Sequence, residues 1–72
     1  MRKIDEVIKP DSCLNRARPQ EMLFVLMGRD VCAPSIIRAW CNARIAAGKN
    51  KADDAQILEA LRCARAMEEE QG

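Results

Sequence analysis

The chain has 72 residues, a formal net charge of +1, 49% apolar and 32% charged side chains, and neither histidine nor tyrosine. That is one small domain at most, and catalysis by an imidazole or a phenol is excluded. The longest apolar run, Met22 to Met27, falls far short of the roughly 20 residues of a membrane span or the roughly 7–15 of a signal-peptide core, so a cytoplasmic protein without a membrane partner is expected.

From the N-terminus, Ile4, Val7 and Ile8 lie at helical spacing, but a segment this short does not hold a helix alone. Residues 1–10 therefore read as an arm, closed by Pro10, and 11–72 as a single helical domain. Asp11 and Ser12 can accept from open backbone N–H groups, which predicts a short helix from Ser12 to about Ala17. Arg18 is held extended by Pro19. Pro19 suits the first turn of a further helix, and Glu21 suits its dipole. The run Met22-Leu23-Phe24-Val25-Leu26-Met27 has no polar face, so periodicity fits a buried helical turn or a short buried strand. The proline before it and Gly28 after it favour a short apolar helix over about 20–27 with a glycine C-cap.

Residues 29–34 form a connection, with Pro34 where a helix can begin. Ile36, Ile37, Trp40, Cys41 and Ile45 then trace one helical stripe, predicting a helix over about 35–47 that Gly48 closes. Core packing is the expected role of Trp40. After a polar turn, Asp53 and Gln56 have capping-box spacing. Ile57, Leu58, Leu61, Ala64 and Met67 carry a second main helix over about 53–69. Its acidic end opposes the helix dipole and is expected to fray. The fold class is all-α: a small helical hairpin plus the short apolar helix. So few large apolar residues barely offset ordering entropy at this size, which predicts a homo-oligomer.

Charge is unevenly spread. Residues 1–52 carry ten basic and five acidic side chains, and residues 53–72 carry two and six. Such asymmetry can steer an anion to one face or join the basic part of one subunit to the acidic tail of another. Duplex DNA is a poor partner for a chain without a basic excess. Cys13, Cys32, Cys41 and Cys63 lack the close pairing of a zinc site, and most are expected to be small buried hydrophobes. No metal or cofactor is expected.

The residues most suited to touching a ligand are Arg16, Arg18, Arg29, Arg38, Arg44 and Trp40, with Asp30 placed to orient Arg29. Arginine grips phosphate or carboxylate through a planar fork, and tryptophan stacks on bases. For Arg29 the competing role is a bond to the last carbonyls of the preceding helix; for Trp40 it is the core, and for Arg38 and Arg44 it is solvated charge.

Glu21, Phe24-Val25-Leu26, Arg29-Asp30, Ala33-Pro34, Ile37-Arg38 and Trp40 together resemble a pattern of small phage and prophage proteins. The resemblance spans most of the chain. It implies a phage origin and says nothing about mechanism. Many short phage proteins disable host defence without catalysis. A small oligomeric hairpin with several arginines suits one that sequesters a small anionic ligand, in particular a cyclic nucleotide immune signal. An inhibitor that blocks a host defence protein, as anti-CRISPR proteins do, is the alternative. A small DNA-binding regulator is a third, with Arg38, Arg44, Lys49 and Lys51 facing the nucleic acid.

Overall fold

The computed structural model describes residues 1–72 and contains four helices and no strands: α1 (Lys3–Ile8), α2 (Cys13–Arg16), α3 (Ala33–Ala46) and α4 (Ala55–Gln71). Helix α1 packs on α2 and α3 on α4, and neither pair packs on the other. The all-α helical hairpin is as the apolar spacing predicts.

The hairpin seam follows that spacing. Pro34 and Cys41 are buried on α3, Ile57 and Ala64 on α4, each pair seven residues apart. Half-buried Ile37, Ala60 and Met67 fill the steps between them, a repeat of three and four residues that keeps one helix edge on its neighbour. Ala33 and Ala64 are both 0% exposed, so the seam is closed largely by small side chains. Helix α3 starts two residues before the expected boundary because Pro34, at the first turn, needs no N–H partner.

Gly48 ends α3 with φ +71°. Its N–H reaches the carbonyl of Ile45 at 3.0 Å, and the Lys49 N–H reaches that of Arg44 at 3.0 Å. These are the paired bonds of a Schellman turn, which needs a left-handed residue at this position. A Cβ on Gly48 would meet nothing within 4 Å, so substitution costs only backbone strain. Gly48→Ala is expected to lose about 1 kcal/mol, and Gly48→Asn clearly less, measured by chemical denaturation.

The structure departs from the sequence expectations at several elements. Residues 21–27 adopt neither helix nor strand. A helix there would need burial on every side, and an eight-residue segment between Pro19 and Gly28 is too short to persist without it. The proposed capping box does not form: α4 starts at Ala55, and the Asp54 carboxylate turns back to accept from the Lys51 N–H at 2.9 Å and Asn50 Nδ2 at 3.0 Å. Finally, α4 does not fray at Glu69 but continues to Gln71. Its acidic end is tied down by Arg38 to Glu68, by Arg2 to Glu70, and by Gln71 Nε2, which donates to the carbonyls of Gly28 and Asp30 at 2.8 Å each.

The expected cap on α2 forms. Ser12 Oγ accepts from the Asn15 N–H at 3.1 Å and donates to the Glu6 carbonyl at 2.6 Å. Of the cysteines only Cys41 is buried; Cys63 is half-buried, and Cys13 and Cys32 are exposed free thiols. Cys13 and Cys32 lie outside the α3–α4 seam, so the expectation of mostly buried cysteines fails. No helix is long and apolar enough to cross a membrane.

Candidate functional site: an arginine on an exposed tryptophan

Trp40 is not in the core. It is 40% exposed, because the seam runs through Ile37 and Cys41 and leaves Trp40 at its edge. One helical turn on, the guanidinium of Arg44 lies over the indole, 5.7 Å from the ring centroid, within range of a cation–π contact. Arg44 Nε donates to Asn50 Oδ1 at 2.6 Å, while Asn50 Nδ2 donates to Asp54 Oδ2 at 3.0 Å and Gln56 Oε1 at 3.1 Å. Asn50 thus fixes the guanidinium from the hairpin turn. Its two terminal nitrogens have no partner in the chain. Lys49 and Lys51 flank Asn50 and are exposed. The Asp54 carboxyl is held below its ordinary value, first by the Lys51 N–H and then by Asn50, and therefore stays ionised at neutral pH as the acceptor of the turn.

The other predicted ligand residues do not join this cluster. Arg38 grips Glu68 through two parallel bonds, NH1 to Oε2 at 2.9 Å and NH2 to Oε1 at 2.5 Å. That pairing raises the arginine pKa and lowers the glutamate's, in each case mainly through the hydrogen bonds. With α4 occupying its fork, Arg38 is unavailable to a ligand. Arg16 ends α2 and Arg18 lies just beyond it, both exposed. Asp30 Oδ1 accepts from the Cys32 N–H at 2.8 Å; it shapes the turn before α3 rather than orienting Arg29.

Arg29 is not a helix-terminal residue, since the nearest helix before it, α2, ends at Arg16. It lines an open groove of about 650 Å³ with Met27, Gly28, Val31, Glu70 and Gln71. Glu70 places an acid beside the cation there, although Arg2 already pairs with it at 2.5 Å. An anion at Arg29 meets Glu70 in the same groove, whereas Arg44 forms no ion pair with a carboxylate of the chain. In the sequence Asn50 is no more than a polar turn residue, since its role depends on three partners brought together by the hairpin.

No protein-family model matches the chain, nor does any curated protein or solved structure.

Proposed function

We propose that this protein acts by binding rather than by catalysis, and that it captures a small anionic ligand with an aromatic part at the Trp40–Arg44 surface. A cyclic nucleotide signal is the class that fits. The observation that carries this reading is Arg44, fixed over exposed Trp40 with its terminal nitrogens free. A base stacks on the open part of the indole, an interaction worth about 1–3 kcal/mol. The guanidinium takes a phosphate through two N–H groups, and Lys49 and Lys51 add positive potential at the rim. The sequence resemblance supplies the setting: a phage protein that sequesters a host immune signal.

Trp40 is the sole tryptophan and there is no tyrosine, so intrinsic fluorescence reports on this site alone. Titration with cyclic dinucleotides is expected to quench it in a saturable manner. Arg44→Ala is expected to weaken binding at least about tenfold, or 1.4 kcal/mol, without loss of helix content. Unchanged emission and no heat of binding at millimolar nucleotide would rule the reading out.

A second reading, an inhibitor that blocks a host defence protein, is favoured by the exposed run Met22–Met27. It predicts a host protein that co-purifies with the chain and indifference to added nucleotides.

A further inference from the structure

We propose that residues 21–29 pair with the same segment of a second copy as an antiparallel two-stranded ribbon, giving a two-fold dimer. This surface is separate from the Trp40–Arg44 cluster, and the inference does not depend on the nucleotide reading.

Most of the segment's side chains and backbone groups are unsatisfied: Leu26 is half-buried, and Glu21 Oε1 accepts from the Arg18 N–H at 3.0 Å, leaving the other carboxylate oxygen without a partner. Met22 is 93% exposed, Phe24 87% and Val25 73%, with Leu23 and Met27 above one half. No N–H from Met22 to Arg29 and no carbonyl from Glu21 to Leu26 has a partner within the chain. A run containing phenylalanine and valine, with both rows of backbone groups open, is a template for strand addition.

The ends of the segment say which strand it fits. Antiparallel pairing with Val25 on the two-fold axis sets Leu23 opposite Met27 and Phe24 opposite Leu26, with Glu21 opposite Arg29 at both ends. Parallel pairing in register would instead oppose glutamate to glutamate and arginine to arginine, which is unfavourable. The Arg29 side chain forms no ion pair within its own chain, so it is free to meet a partner's glutamate. One segment thus supplies both halves of a complementary pair, as an isologous interface requires.

Area agrees with this. The single chain exposes 6081 Å², against about 4,500 Å² for a compact monomer of its 8.1 kDa mass. The excess, about 1,600 Å² over the whole chain, includes the apolar side chains of residues 22–27 that the ribbon draws together. The radius of gyration, 12.9 Å, likewise exceeds the roughly 11 Å of a compact domain of this length.

Sedimentation velocity on the full chain, from micromolar to millimolar concentration, tests the proposal. A dimer is expected. Val25→Pro removes an N–H at the centre of the ribbon that has no partner in the monomer. It should raise the dissociation constant at least about a hundredfold while leaving the circular dichroism of the helices unchanged. Glu21→Arg and Arg29→Glu should each weaken the dimer several-fold, and the double charge swap should restore it. A wild-type monomer throughout the range would overturn the proposal, as would a Val25→Pro dimer of undiminished affinity or a double swap that fails to recover. A monomer that instead holds a host protein on this run would overturn it too, and assign the surface to a foreign partner.

Discussion

Ile57→Ala is expected to lower the melting temperature by about 15 °C or more, and to leave a substantial unfolded fraction under mild denaturing conditions. Ile57 is 1% exposed and is one of the two largest fully buried side chains. Truncating a buried isoleucine removes its transfer energy and leaves a cavity, together about 2–5 kcal/mol. A chain of this length has about 4–11 kcal/mol of stability in all. Little else can compensate, because the buried positions beside it in the seam are mostly alanine and cysteine. Thermal denaturation followed by far-ultraviolet circular dichroism measures the effect. Leu58→Ala is the control: Leu58 follows Ile57 on α4 but is 42% exposed, and should lose much less. Equal losses at the two positions would mean that the seam is not where α4 is anchored.

The contrast between those neighbours also shows what could be read from sequence. The apolar spacing of Ile57, Ala64 and Met67, and of Ile37 and Cys41, located both main helices and their shared face, because burial on one side imposes a helical period. Ser12 and Gly48 were legible for local reasons, one as a cap and the other as a left-handed terminator. Residues 22–27 were not, since a run that is apolar at every position carries no period. What such a run becomes depends on what covers it, and within one chain only Leu26 is covered even in part. The candidate site was legible only in its parts. Trp40 belongs to the apolar stripe by spacing yet stands at its edge, under Arg44. Arg38 and Arg44 look alike in the sequence, but Glu68 takes the fork of one, whereas Asn50 holds the other and leaves its terminal nitrogens open.

Asn15→Ala is expected to loosen α1 on α2 while leaving the α3–α4 hairpin intact. Asn15 Nδ2 donates towards three carbonyls, those of Glu6 at 3.0 Å, Val7 at 3.1 Å and Lys9 at 2.8 Å. The amide has only two hydrogens, so at least one is shared among the three acceptors. With each bond worth about 0.5–1.5 kcal/mol net, alanine should cost the N-terminal unit roughly 2 kcal/mol. Ser12 Oγ still donates to the Glu6 carbonyl, the Ser12 N–H to that of Lys9 and the Leu14 N–H to Glu6 Oε1, so α1 is loosened rather than cut free. Asn15→Asp should be worse than alanine, because a carboxylate has no proton to donate and sets negative charge against three carbonyl oxygens. Amide hydrogen exchange resolved by segment checks this. Exchange should rise at least about tenfold in α1 and α2 and stay unchanged in α3 and α4. The confinement follows from the architecture: the two helix pairs do not pack on each other, and the polar ties from the N-terminal end to α4 are the Met1 ammonium near Glu59 and Cys63, the Arg2–Glu70 pair and the charge of Lys9 near Glu59. These are exposed contacts that transmit little stability. Acceleration spreading into α3 and α4 would show instead that the chain opens as one cooperative unit, with the N-terminal helices bracing the hairpin that carries Trp40 and Arg44.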